Sequence, residues 1–203
     1  MIRLYMIRHG ETLSNVWKII QGWSDTPLTD KGIEQGKELA RLLKDLKITS
    51  MYSSTSERAY DTACLINFYH DLSIKMIKGL KELNFGSFET QSEYILGGDP
   101  RYIMTFDWTC YGGENIEILT NRIGESLCSI VDDAVDGDNI ICVTHSIAIL
   151  AMLRYVDEEI YNLRIQNNKY IDNCSVTILE YEKGKFSVSE INTKNRLKIY
   201  QQV

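Results

Sequence analysis

Residues 2–10, IRLYMIRHG, and residues 139–146, NIICVTHS, share one order: an apolar run, then a histidine at its end. Broken only by Arg3, the first run has the pattern of a strand covered on both faces, as strands are in a parallel sheet. Between the two lies TDKGIEQGKELARLLKDL from Thr29, which puts Ile33, Leu39, Leu42, Leu43 and Leu46 on one helical face. Thr29 or Asp30 is placed to cap that helix. A weaker strand, SMYSS from Ser50, precedes a second helical pattern, SERAYDTACLINFYH from Ser56. Strand, helix, strand, helix predicts an α/β fold: three layers, α/β/α, around a mostly parallel central sheet.

The later sequence extends this plan. GENIEILTNRIGESLCSIVDDAV (Gly113–Val135) reads as an amphipathic helix, IAILAMLR after Ser146 as an apolar one, and DEEIYNLRI from Asp157 as a short capped one. SVTILEYEKGKFSVSEIN alternates on both sides of Glu182–Lys185, predicting a hairpin that adds one or two antiparallel strands at an edge. Phe88–Asn115 mixes helical spacing with Gly97, Gly98, Pro100, Gly112 and Gly113. It reads as an irregular insertion, residues 88–112, lying over a site.

Composition bounds the function. With 203 residues, 44% of them apolar and 25% charged, the chain fits one domain spanning residues 1–203, with a core that needs no staple. Cys64, Cys110, Cys128, Cys142 and Cys174 form no C-x-x-C pair and read as reduced thiols, which predicts a cytoplasmic protein. The first residues are too short an apolar stretch for a signal peptide, and no run approaches the ~20 apolar residues of a membrane span. A net charge of −6 argues against nucleic-acid partners, which need phosphate-neutralising cations. Any anion must be captured in a local positive pocket.

Ligands of open α/β sheets bind where the parallel strands end. Arg8-His9 closes one buried strand and Thr144-His145-Ser146 the other, so two histidines can meet at one sheet edge. No H-x-x-H or H-x-D spacing accompanies them, so neither a metal nor another cofactor is expected. Arg8, and Arg58 early in a helix, are forks that match phosphate oxygens and stay charged at working pH. Two arginines, two histidines and a helix N-terminus describe a cup for a phosphoryl group.

Arg8-His9-Gly10-Glu11-Thr12, with Asn15 close behind, resembles the signature of the histidine phosphatase superfamily, the phosphoglycerate mutase-like family. QGWSDTPLTDKGIEQG (Gln21–Gly36), YSSTSERAYDTA around Arg58, LKELNFGSFE around Glu82, GGEN at Gly112 and VTHS at Val143 follow in the family's order. The resemblance implies a phosphoglycerate mutase-like fold and a small phosphorylated substrate. It also implies that His9 is the nucleophile, Glu82 the proton donor, and Arg8, Arg58 and His145 the holders of the phosphoryl oxygens. Glu82 would need a raised pKa, which the phosphate's negative charge could supply. Asn15, Gln21, Gly22 and Ser146 are the expected substrate-binding residues, Gly10 is expected to leave room for the phosphate, and Glu114 to cap its own helix. Ser146 stands where the family usually has glycine, Thr90 where glycine is common, and Thr55 where proline is frequent. Three activities stay open: phosphomonoester hydrolysis, mutase-type transfer, or silent binding of a phospholigand. Arg101 is the only Lys or Arg between Glu82 and Gly113, which favours hydrolysis over a mutase's grip on a second anionic group. A homodimer is compatible with the sequence but not specified by it.

Overall fold

The computed structural model describes residues 1–96 and 101–193. Residues 97–100 of the expected insertion, with Gly97, Gly98 and Pro100, lie outside the described residues. In chain order the elements are β1 (Ile2–Arg8), α1 (Leu13–Trp17), α2 (Asp30–Leu43), β2 (Ser50–Ser54), α3 (Glu57–Asn67), β3 (Ile74–Ile77), α4 (Arg101–Thr105), α5 (Ile116–Asp132), β4 (Asn139–Thr144), α6 (Ser146–Val156), α7 (Glu158–Gln166), β5 (Val176–Glu182) and β6 (Lys185–Thr193). They build one six-stranded sheet in the order β3-β2-β4-β1-β5-β6. The first four of these strands run parallel, and β5 and β6 are antiparallel.

The middles of β1 and β4 are apolar because both of their faces are covered. Tyr5 and Ile7 of β1, with Ile141 and Val143 of β4, pack against Leu39 and Leu43 of α2 and Ala59 and Ala63 of α3. Leu4, Met6, Ile140 and Cys142 turn the other way, onto Leu119, Ile123 and Leu127 of α5 and Ala148 to Leu153 of α6. This is the expected three-layer arrangement. Among the described residues no helix is long and apolar enough to cross a membrane.

The hairpin contributes both of its strands, so the sheet ends in two antiparallel strands. Lys183 and Gly184 make its turn with φ of 51° and 78°, the left-handed pair of a type I′ turn that follows the strand twist. β3 has no counterpart in the sequence reading, for a physical reason. It is the opposite edge strand, its Lys75 and Met76 are exposed, and neither an apolar run nor a clean alternation marks it. Thr29, not Asp30, caps α2 by accepting a hydrogen bond from the Gly32 amide at 3.0 Å. α5 begins three residues later than expected, at Ile116, because Asn115 accepts from the Ile118 amide and caps it.

The β1–α1 loop is fixed by a contact between two glycines. A Cβ on Gly10 would stand 2.6 Å from the carbonyl oxygen of Gly32, and a Cβ on Gly32 would overlap the Glu11 carbonyl oxygen. Gly10 is therefore required by the close approach of the first turn of α2. Its amide is also occupied, donating to Thr62 Oγ1 at 3.0 Å. In an ordinary helix Gly→Ala stabilises by about 1 kcal/mol. Gly32→Ala should do the reverse and lower stability by about 1–3 kcal/mol, the usual cost of overpacking, read as a lower urea midpoint with an unchanged m-value.

Candidate active site

The parallel register pairs Arg8 of β1 with Thr144 of β4, so the residues that follow, His9 and His145, leave the sheet side by side. Their rings lie 5.2 Å apart, edge to face. His9 Nδ1 is 2.7 Å from the Gly10 carbonyl oxygen, to which it donates, and Nε2 accepts from Arg58 Nε at 3.3 Å. These partners assign the tautomer: Nε2 holds a lone pair. Burial, reinforced by the charges of Arg58 and Arg8, holds the His9 pKa well below the usual imidazole range, so the ring is neutral.

His145 is wholly buried, with Nε2 2.8 Å from Ser54 Oγ and Nδ1 without a hydrogen-bond partner. Burial and the same two arginines keep it neutral as well. It backs His9 and is not part of the open cavity wall.

Arg58 is 1% exposed, and a buried guanidinium is tolerated only when its donors are used. Nη2 donates to the Gly22 carbonyl at 2.7 Å; Nη1 donates to the Ser24 carbonyl at 2.8 Å and to Asp25 Oδ1 at 2.7 Å. The turn that offers these acceptors is held from outside by Glu89. Its carboxylate accepts from the Trp23 and Ser24 amides, each at 2.8 Å. A Cβ on Gly22, where φ is 53°, would press on that carboxylate, which accounts for the glycine. Arg8 donates from Nη1 to the Ile171 carbonyl at 2.5 Å, and its buried Nε has no partner.

Glu82 projects onto the start of α6. Oε1 accepts from the amides of Leu83 (3.0 Å) and Ala148 (2.9 Å), and Oε2 from the amide of Ile147 (3.1 Å). These bonds favour the carboxylate, as does Arg58, yet burial outweighs them and raises the pKa above the usual carboxyl range. The sequence reading assigned the raised pKa to a bound phosphate; in the structure burial already supplies it. Oε2 keeps an unused lone pair for a proton. Arg122 sets the segment that carries Glu82. Its guanidinium donates to the carbonyls of Gly79, Lys81 and Glu82 at 2.8, 3.0 and 3.1 Å and pairs with both oxygens of Glu114. Glu114 accepts from the Asn84 amide at 3.1 Å, so it does not cap α5 but braces the loop after Glu82.

Arg8, His9, Arg58, Glu82, Asn15, Gln21, Gly22 and Ser146 all line one cavity of about 390 Å³. Asn15 Oδ1 accepts from the Thr12 amide and from Asn173 Nδ2, which leaves the Asn15 amide group for the cavity. Gln21 instead spends its side chain between Thr12 and Thr26, and the Ser146 hydroxyl faces the Ile171 carbonyl at 3.5 Å. Ile103 and Met104 from the expected insertion, with Glu93, Phe85, Ile147 and Tyr170, make up much of the remaining wall. A larger hollow, about 620 Å³, runs along α2 and α3 and contains none of these residues.

Asp25, Glu89, Arg122 and Asn173 were not singled out from sequence. Asp25 falls within QGWSDTPLTDKGIEQG and Glu89 ends LKELNFGSFE, so a signal exists for both. Arg122 has none, because an arginine within an amphipathic helix reads as a solvent-facing charge. Among the described residues no group of three or more His, Cys, Asp or Glu is placed to hold a metal ion.

Comparison with known proteins agrees with this geometry. The histidine phosphatase superfamily (branch 1) matches residues 4–194. A probable phosphoglycerate mutase GpmB of Escherichia coli O1:K1 is 31% identical over 202 residues, covering 93% of this chain and 89% of the relative. Among solved structures, YhfR of Bacillus stearothermophilus superposes with a TM-score of 0.85 at 28% identity, over 97% of this chain and 100% of that one. Phosphoserine phosphatase from Entamoeba histolytica, in complex with 3-phosphoglyceric acid, superposes at 0.81 with 28% identity and the same coverage. The motifs, the sheet order and the paired histidines thus have one common source: the chain belongs to the histidine phosphatase superfamily, branch 1.

Proposed function

We propose that the protein is a phosphomonoester hydrolase that works through a phosphohistidine on His9. The observation that carries this reading is the His9 tautomer: a neutral ring whose Nε2 lone pair is held beside Arg58 in the cavity that also contains Glu82. Nε2 attacks phosphorus while the bond to the leaving oxygen breaks, and Glu82 gives that oxygen its proton. Water then attacks the phosphohistidine, Glu82 takes a proton back, the P–N bond breaks and phosphate leaves. Arg8 and Arg58, with the Asn15 amide, supply the donors such a phosphoryl group needs, and His145 backs His9 from behind. The Nδ1–H bond to the Gly10 carbonyl suits an imidazole that becomes cationic on phosphorylation.

Hydrolysis is favoured over mutase transfer by the cavity wall beyond the phosphoryl end. Ile19, Ile20, Phe85, Ile103, Met104 and Ile147 dominate it, and Lys18 is the one cation there besides Arg8 and Arg58 among the described residues. A mutase must also hold the substrate's second anionic group.

Purified protein should hydrolyse p-nitrophenyl phosphate. His9→Ala should abolish turnover, and acid-labile phosphate should be trapped on the wild-type chain. Arg58→Ala should lower kcat/KM at least about tenfold, the effect of losing one charged hydrogen bond to a phosphoryl oxygen. Isomerisation of 3-phosphoglycerate that depends on its bisphosphate would overturn the assignment in favour of a mutase. Phosphopeptide retention without any turnover would mark a silent binder.

Glu82→Gln separates the proton donor from a merely structural carboxyl. Turnover of alkyl phosphates should fall by about 10²–10⁴-fold, the usual contribution of general acid catalysis. p-Nitrophenyl phosphate, whose leaving group needs no proton, should lose far less. An equal loss on both substrates would remove Glu82 from the role.

The pH profile of kcat/KM follows from the two shifts. His9 must be unprotonated, and its pKa lies below the ordinary 6.5, so the rising limb lies below that pH. Glu82 must be protonated, and its pKa lies above the ordinary 4.5, so the falling limb lies above that pH. The optimum lies between the two limbs, and Glu82→Gln should flatten the falling limb.

A further inference from the structure

One charged group on the cavity wall has no use in the chemistry above. Glu93 lines the same cavity as His9 and Arg8, is half-buried, and opens the short helical turn Glu93–Leu96. Its position is fixed by backbone pairing rather than by its side chain. The Ile20 amide donates to the Gln91 carbonyl and the Thr90 amide to the Ile20 carbonyl; the Glu93 amide donates to the Lys18 carbonyl; each bond is 2.8 Å. A carboxylate held so firmly would ordinarily find a cation, yet among the described residues no ion pair or hydrogen bond reaches it. Lys18, its neighbour across the pairing, is exposed and does not salt-bridge to it. Burial pushes the Glu93 carboxyl up against the opposing pull of Lys18 and Arg8, so the group sits partly desolvated with no direct partner.

Such a carboxylate is also unhelpful toward the phosphate itself, since like charges repel within one cavity. It becomes favourable if the rest of the substrate brings a positive charge to it. We propose that Glu93 is a specificity-determining residue that selects phosphomonoesters whose alcohol portion carries an ammonium group. The phosphoryl end faces Arg8, Arg58 and His9, the carbon chain crosses the apolar stretch of Ile19, Ile103, Met104 and Ile147, and the ammonium meets Glu93. This rests on the hydrolase reading and narrows its substrate class.

The test compares two substrates of equal size, 2-aminoethyl phosphate and 2-hydroxyethyl phosphate, with p-nitrophenyl phosphate as a reference for turnover. The wild-type protein should prefer the ammonium substrate in kcat/KM by at least about tenfold, the scale of one charge-assisted bond. Glu93→Gln, which keeps the shape and removes the charge, should bring that ratio close to one. Because a ratio is read, any general loss of activity in the variant cancels, and the wild-type ratio needs no variant at all. A wild-type ratio near or below one, or a ratio unmoved by Glu93→Gln, overturns the proposal while p-nitrophenyl phosphate turnover leaves the hydrolase reading standing. Failure to turn over any of the three esters overturns the hydrolase reading and this one with it.

Discussion

The burial of Arg58 is the constraint around which this end of the molecule is organised. A guanidinium with 1% exposure must have its donors met. Three are met by the Gly22, Ser24 and Asp25 acceptors and one by His9. The requirement then spreads outward. The turn must present its carbonyls inward, so its amides point outward, where Glu89 takes two of them. That places a residue well removed in sequence in charge of where Arg58 points, and Arg58 in turn keeps the proton off His9 Nε2.

A second buried charge site is built by a different rule. Glu82 receives amides from the first turn of α6, which places it where a helix favours negative charge, while burial works against ionisation. The balance is a carboxyl that can exist in either form, which is what a group that gives and then recovers a proton needs. Arg122 is committed entirely to structure: its donors are spent on three carbonyls and the Glu114 carboxylate, fixing the strand of chain beneath Glu82. Three ionic side chains thus cooperate through backbone atoms more than through one another.

The parts legible in sequence were those set by periodicity and by local order. The apolar runs ending in His9 and His145 identified the central strands, and their parallel pairing brought the two rings together as expected. Edge strand β3 escaped because a half-solvated strand carries no apolar signature. The supporting carboxylates and Arg122 escaped because their partners are backbone amides and carbonyls, which every residue possesses and no sequence displays. The Gly10 contact with the Gly32 carbonyl was not legible, because the two residues meet only when α2 packs against the β1–α1 loop. Burial as a cause of Glu82's raised pKa was not legible either, since burial is a property of the assembled core.

The unpaired buried Nε of Arg8, a residue of the cavity wall, has a thermodynamic side as well as a mechanistic one. Buried donors without acceptors destabilise the native state. On the reading proposed above, an oxyanion that enters the cup supplies that acceptor, and it does so only in the folded chain. Occupancy and folding are then linked by mass action: the native state gains free energy with the logarithm of free anion above its dissociation constant. Free inorganic phosphate would then act as a stabilising solute for this protein, whether or not a substrate is present.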